Sequence, residues 1–204
     1  MKVVKRSLDL LLLLLFGPFA LLLILMGAAL IKLLSPGPVF YSQRRVGLGG
    51  KLIDVWKLRT MRVDAEQALA KHLESEPAAA DEWRRHFKLK DDPRVIPYIG
   101  NFLRKSSMDE LPQFFNILLG EMSFVGPRPF PEYHLRVFDK PFRRRRQSVL
   151  PGLTGLWQIR VRSGGDIRAQ RYWDLKYLVG RCLMLDLRIL CETPLVVIRA
   201  KGAV

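Results

Sequence analysis

The sequence predicts a mainly α-helical protein with one small β-hairpin (α+β). A membrane-inserted helix occupies residues 1–35, and a polar domain over residues 36–204 lays amphipathic helices on the bilayer surface. Three observations carry this expectation. From Leu10 to Ile31 no residue is charged, and about 20 such residues cross a hydrocarbon core as a helix. Beyond the Ser35-Pro36-Gly37-Pro38 turn, two strand-like runs flank Gly47-Leu48-Gly49-Gly50. The remainder shows helical periodicity punctuated by proline and glycine.

Composition excludes several classes. The chain has 204 residues, 34 Lys and Arg against 19 Asp and Glu, and a formal net charge of +15. Hydrophobic residues make up 49%, too many for a disordered tail. Only one stretch is long enough to enter a bilayer, which excludes a polytopic transporter. Two cysteines and three histidines do not build a disulfide framework or a redundant zinc site. The basic balance points to an anionic partner: nucleic acid, phospholipid headgroups or a phosphorylated substrate.

The apolar run is too long for a signal-peptide core, and Asp9 sits at its mouth. Within it, Pro18 has no N–H and leaves the carbonyl of Leu14 without its helical partner. Basic residues flank both ends: Lys2, Lys5 and Arg6 before, Lys32, Arg44 and Arg45 after. Charge asymmetry therefore gives no direction of insertion. A helix that enters from the cytoplasmic face, bends at Gly17-Pro18 and leaves by the same face satisfies both facts. A kinked transmembrane helix satisfies them too.

Val39 to Val46 and Lys51 to Met61 read as the paired strands. In the second, Ile53, Val55, Lys57 and Arg59 share one face by the period of two. An apolar start and a cationic end suit a core edge opening onto an anion site, or two solvated cations. Asp64 to Glu74 and Ala78 to Lys88 read as surface helices split at Pro77. Their His72 and His86 have no partner at ligand spacing. A polar loop with Asp91-Asp92-Pro93 follows.

Ser107-Met108-Asp109-Glu110 has the form of a capping box, with Ser107 as N-cap and Glu110 at N3. It predicts a helix to about Leu119, with Gly120 just past its end. Asp109 and Glu110 beside Arg104, Lys105 and a helix N-terminus would welcome a phosphate next to a carboxylate. In Gly126-Pro127-Arg128-Pro129, Pro129 holds Arg128 extended, which suits a bidentate grip on phosphate. Arg143 to Arg146 reads as a solvated face or a hold on anionic lipid. Pro151 to Gln158 reads as a turn-rich loop whose Trp157 stacks on a base or packs. Tyr172 to about Cys191 reads as one or two amphipathic helices, with Cys182 and Cys191 as reduced hydrophobes.

Four stretches together resemble one family. They are Val55-Trp56-Lys57-Leu58-Arg59-Thr60-Met61, Ser107 to Gln113, Asn116 to Pro129, and Pro151 to Gln158. In order and spacing they are similar to the small bacterial monotopic phosphoglycosyl transferases, also called bacterial sugar transferases or undecaprenyl-phosphate sugar phosphotransferases. The resemblance covers essentially the whole chain.

The resemblance implies transfer of a sugar-1-phosphate, by its look a hexose-1-phosphate, from a UDP-sugar to undecaprenyl phosphate. UMP leaves, and the step is the first in the membrane for surface glycans such as exopolysaccharide, capsule or O-antigen. By analogy Asp109 is the nucleophile that forms a covalent phosphosugar-enzyme. Glu110 assists through the metal or a proton, and Mg2+, held by Asp109 and Glu110, is the expected ion. Arg104 and Arg128 match basic positions of the motifs. Lys57 and Arg59 are further substrate-binding candidates, with Gln158 and Arg162 on the fourth motif. The family's membrane helix is re-entrant and broken at a Ser-Pro pair. Here the pair is Gly17-Pro18, and the re-entrant form is the one expected. Val161 stands where the family often has glycine before the arginine. Larger relatives carry extra N-terminal membrane helices, and this chain looks like the minimal catalytic unit. The expected location is the bacterial inner membrane with the catalytic domain on its cytoplasmic face. The expected partners are the donor, the lipid acceptor and phospholipids, with a homodimer among the oligomeric states left open.

Two other classes compete with this reading. A non-catalytic basic membrane-anchored module that binds lipid or a partner accounts for the charge and the apolar run. It does not account for Asp109-Glu110 between cationic segments. A membrane-tethered nucleic-acid binder has the charge but no recognition helix, zinc finger or stacking-strand motif.

Overall fold

The computed structural model describes residues 2–86, 89, 91–161 and 167–198. Helix α1 (Lys2–Leu34) contains Pro18 and is continuous through it. Gly17-Pro18, the expected break, thus lies inside one helical element. A proline in a helix interior removes one backbone bond, and a long apolar helix with neighbours to pack on absorbs that loss. Among the described residues α1 is the one helix long and apolar enough to cross a membrane.

One face of α1 runs along the rest of the protein. Near its start Lys5 Nζ reaches Asp186 Oδ2 at 2.5 Å, and Arg6 donates to the carbonyls of Ile117 and Leu118. Asp9, 2% exposed, accepts from Ser123 Oγ and the Phe124 N–H, each at 3.0 Å. Near its end Ile24 and Ile31 are buried with Leu58 and Leu103. The opposite face leaves Leu11, Leu14, Leu15, Phe19, Leu22 and Leu25 exposed.

Strands β1 (Phe40–Val46) and β2 (Leu52–Leu58) form the expected antiparallel hairpin, with Tyr41 opposite Lys57 and Arg45 opposite Ile53. Ile53, Val55 and Arg59 are all buried, as the period of two requires. The surface helices α2 (Ala65–Ser75) and α3 (Pro77–His86) part at Pro77 as expected. Next comes α4 (Ile99–Ser106), then a single 3-10 turn over Met108–Glu110, then α5 (Gln113–Leu118). The capping box does not form. Ser107 is itself left-handed (φ 58°, ψ 17°), and its side chain makes no capping hydrogen bond. Gly120 (φ 77°) takes the left-handed position after the helix as expected.

Strand β3 (Ser123–Val125) pairs in parallel with β4 (Gly152–Thr154), an element the sequence reading had as loop. Between them lie α6 (Glu132–Leu135) and α7 (Lys140–Arg146), and after them α8 (Leu156–Arg160). A Cβ on Gly152 would sit 2.0 Å from the Gly126 nitrogen, and one on Gly126 would sit 2.5 Å from the Leu150 carbonyl. Only glycine lets these backbones approach so closely. The C-terminal stretch forms two helices, α9 (Ile167–Gly180) and α10 (Leu183–Ile198).

Three apolar clusters hold these elements. One joins β2, α5, β3 and α8–α10 through Ile53, Val55, Ile117, Val125, Ile159 and Ile189. A second joins α1, β2 and α4, with Met108 and Leu111 packed on it. A third gathers Val46, Phe130, Leu135, Phe138 and Phe142. Asp109 and Glu110 lie between Met108 and Leu111, Lys57 lies between Val55 and Leu58, and Arg128 lies between Val125 and Phe130. The second cluster thus sets the carboxylates, the first and second flank Lys57, and the first and third flank Arg128.

Candidate active site

The 3-10 turn brings the two carboxylates to the end of β2. Ser107 in the left-handed region is uncommon for a residue with a side chain. Such backbone is sustained only where packing over-determines it, here by Met108 and Leu111 on the second cluster. Asp109 is 8% exposed, and its Oδ2 lies 3.6 Å from Lys57 Nζ. Glu110 Oε1 lies 2.7 Å from Lys57 Nζ and 2.6 Å from Arg128 Nη2, and its Oε2 takes a second Arg128 nitrogen at 3.3 Å. The sequence had grouped Lys57 and Arg128 only by motif, and the fold brings them onto one carboxylate.

The two acids differ electrostatically. Burial, then the neighbouring Glu110 carboxylate, push the Asp109 carboxyl above the usual range against the pull of Lys57, Arg128 and Arg104. Burial also acts on Glu110, but Arg128 and Lys57 outweigh it and hold that carboxyl far below the usual range. Arg128 is raised in return by Glu110. Burial lowers Arg104, and the Asp109 carboxylate offsets part of that. Its Nε donates to Thr60 Oγ1 at 2.9 Å.

The other sequence-predicted residues fall differently. The Arg59 guanidinium donates to the carbonyls of Ser35 and Pro36 at 3.0 and 2.9 Å. It clips the end of α1 to β2, and among the described residues no carboxylate pairs with it. Both amide atoms of Gln158 are buried without a hydrogen-bond partner. That side chain lies against Gly155: a Cβ on Gly155 would meet Gln158 Oε1 at 2.8 Å and the Gly126 carbonyl at 2.2 Å. Arg162 lies outside the described residues. Val161 caps the end of α8, its N–H bonded to the Trp157 carbonyl.

Sequence reasoning missed three supports. Asn116 is fully buried, accepts from the Trp56 N–H and donates to the Asp54 carbonyl and Glu121, so it pins α5 to the free edge of β2. Arg146, read as one of four surface arginines, is 5% exposed. It turns inward to Asp174 at 2.8 Å, donates to the Arg128 carbonyl and stacks over Phe130 at 4.2 Å. Arg45 bonds the Pro129 carbonyl. A one-turn amphipathic pattern around Phe142 was the available signal for Arg146. Asn116 opened the third motif, but nothing in that pattern gave it this bridging role.

Residues 1–200 match the family described as bacterial sugar transferase. The chain belongs to the bacterial sugar transferase family. It is 41% identical over 201 residues to the exopolysaccharide production protein ExoY of Sinorhizobium fredii, covering 98% of this chain and 87% of that one. It is 41% identical over 167 residues to the undecaprenyl-phosphate galactose phosphotransferase of Salmonella typhimurium, covering 82% and 35%. It is 37% identical over 180 residues to the UDP-glucose:undecaprenyl-phosphate glucose-1-phosphate transferase of Xanthomonas campestris, covering 85% and 34%. The chain thus spans most of the first relative and about a third of the other two. As a sugar transferase of this family it is an enzyme. Among the described residues one apolar helix is joined to a polar domain, which matches the arrangement of an inner-membrane transferase with its catalytic domain on the cytoplasmic face.

Proposed function

We propose that this sugar transferase moves a hexose-1-phosphate from a UDP-sugar to undecaprenyl phosphate, releases UMP, and passes through a phosphosugar ester on Asp109. The single observation that carries the assignment is the unequal use of the two carboxylates. Glu110 is tied to Lys57 and Arg128, while among the described residues Asp109 has one ion-pair approach, from Lys57 at 3.6 Å, and has an oxygen to offer phosphorus. A carboxylate nucleophile splits phosphoryl transfer into two easier steps. Its attack on a diphosphate is electrostatically repelled, and Lys57, Arg104 and Arg128 answer that repulsion. Glu110 stays ionised across ordinary pH, which suits holding cations and not shuttling a proton.

Magnesium fits this pair. Mg2+ keeps several waters and takes one or two carboxylates plus substrate phosphates, so it needs no protein cage. Among the described residues no three acid, histidine or cysteine side chains converge. Asp109 and Glu110 would hold the ion, which when bound supplies charge neutralisation on the diphosphate.

The re-entrant form of α1 is part of the proposal. Both of its ends are tied to one domain, by Lys5, Arg6 and Asp9 at one end and by Ile31 and the Arg59 clip at the other. A spanning helix would carry one end about 30 Å away across the hydrocarbon. The apolar cavity of about 350 Å³ between α1 and α5, lined by Gly17, Ala20, Ile24, Phe114 and Leu118 among others, suits the acceptor's isoprenoid chain. With Cys182 and Cys191 replaced by serine, Val3→Cys and Lys51→Cys are expected to react with an impermeant maleimide from the same face. Both should label in inverted vesicles and neither in intact spheroplasts. Labelling of Val3→Cys in spheroplasts alone would establish a spanning helix.

The reaction is tested by UMP release from the detergent-solubilised protein with magnesium, undecaprenyl phosphate and UDP-galactose or UDP-glucose. Release requiring lipid and metal is expected; its absence with every UDP-sugar would sink the proposal. The rate should fall as pH drops through the raised Asp109 pKa, because protonation removes the nucleophile. Removing the Glu110 charge in Glu110→Gln should move that acid limb to lower pH.

A further inference from the structure

We infer that Arg45 is a further anion ligand of this site and grips the leaving phosphate of the nucleotide donor; the inference rests on the transferase reading above. Alternation along β1 sends Arg44 and Arg45 to opposite faces. The Arg44 side chain is 79% exposed beside Asp54 at 3.9 Å, whereas Arg45 is half-buried. The Val46 N–H bonds the Phe130 carbonyl at 2.8 Å, which zips the end of β1 to the segment following Arg128. Arg45 Nη1 then donates to the Pro129 carbonyl at 3.2 Å and Nη2 to Gln43 Oε1 at 2.5 Å.

Both of those acceptors are neutral. The charged neighbours of Arg45 are Arg128 and Glu110, and Glu110 is already shared by Arg128 and Lys57. Among the described residues Arg45 forms no salt bridge. Burial, then the like charge of Arg128, push the Arg45 guanidinium downward, as befits a cation set beside another without its own counter-ion. Among the described residues Lys57, Arg45, Arg104 and Arg128 gather around Asp109 and Glu110, and the one further acid near them, Asp92 beside Arg104, is already paired with Arg94 at 2.6 Å. The cationic surplus matches the charge a diphosphate brings.

The transfer step says where that surplus is needed. An Asp109 oxygen forms a bond to the sugar-bearing phosphorus, and the bond from that phosphorus to the bridging oxygen breaks. The electron pair stays on the bridging oxygen, which leaves as a terminal oxygen of the nucleoside monophosphate, with no proton required. Lys57 bridges the two carboxylates, 2.7 Å from Glu110 and 3.6 Å from Asp109, and so is the cation nearest the attacking oxygen. Arg45 enters from the Glu110 and Arg128 side, over the Pro129 carbonyl, and meets the charge that develops on the leaving group.

The probe is UMP, used at saturating undecaprenyl phosphate as a dead-end inhibitor that competes with the UDP-sugar for the unmodified full chain in detergent. Arg45→Gln is expected to weaken UMP inhibition by about tenfold or more, the scale of one lost charge-assisted hydrogen bond. The KM for undecaprenyl phosphate and the Tm should stay at wild-type values. Arg45→Lys keeps the charge without the fork and should fall between. Arg44→Gln, one residue away on the solvent face, should match wild type. Unchanged UMP inhibition in Arg45→Gln, or a shift in the lipid KM instead, overturns the inference. Wild-type protein that neither releases nor binds UMP overturns the transferase reading, and the role of Arg45 with it.

Discussion

Asp109→Asn is expected to reduce UMP release to background, by roughly 10⁴-fold or more, the scale of losing an enzyme nucleophile. The substitution keeps the shape of the side chain, so Met108 and Leu111 still pack and the turn persists. Burial already disfavours the charged form of Asp109 in the folded protein, so a neutral amide there should leave Tm unchanged or raise it. A site that sacrifices stability for a charged nucleophile behaves this way. The intermediate supplies a second readout. Acid-quenched wild-type protein incubated with UDP-sugar and no acceptor should gain the mass of a hexose phosphate, and Asp109→Asn should not. If the adduct persists in Asp109→Asn and vanishes in Glu110→Gln, the roles of the two carboxylates are reversed. If full turnover survives without Asp109, the covalent route is wrong.

Arg146→Met should be the most destabilising single change on the cationic side of the site. The Arg146–Asp174 pair is 4% exposed at both side chains, and the Asp174 carboxyl is pushed up by burial, with Arg146 opposing. Removing one partner strands a charge out of water, which costs about 3–5 kcal/mol. The urea midpoint should fall with no change in m-value. The double variant Arg146→Met with Asp174→Leu removes both charges together and should recover much of that loss. Activity should not recover with it, because the Arg128 carbonyl has lost the donor that fixes its loop. Its donor KM should stay raised while stability returns. A double variant with both stability and donor KM restored would show that the pair acts only on folding.

Several parts of the fold were legible in the residues themselves. The hairpin followed from a period of two, the α2–α3 division from Pro77, and the end of α5 from Gly120. Each is settled by a residue and its chain neighbours, through φ restriction or through alternation. The four motifs also marked Asp109, Glu110, Lys57 and Arg128, and the family they resemble is the one whose model matches residues 1–200. The capping box failed because Ser107 serves the turn from α4, and packing of Met108 and Leu111 overrode the local preference. Strands β3 and β4 were missed because three-residue strands carry no periodicity, and their pairing rests on glycines 26 residues apart in the chain.

By itself, then, the sequence determined the membrane helix, the hairpin, the basic balance and the set of charged residues from which the site is made. Only the tertiary structure decided which of those charges meet. It spent Glu110 on Lys57 and Arg128, withdrew Arg59 to clip α1, turned Arg146 inward to Asp174, and brought Arg45 beside Arg128. The reason is physical: turns and periodicities depend on neighbours along the chain, whereas the partner of a charge depends on which distant segments the apolar clusters bring within a few ångströms, where reduced solvent screening makes ion pairing strong.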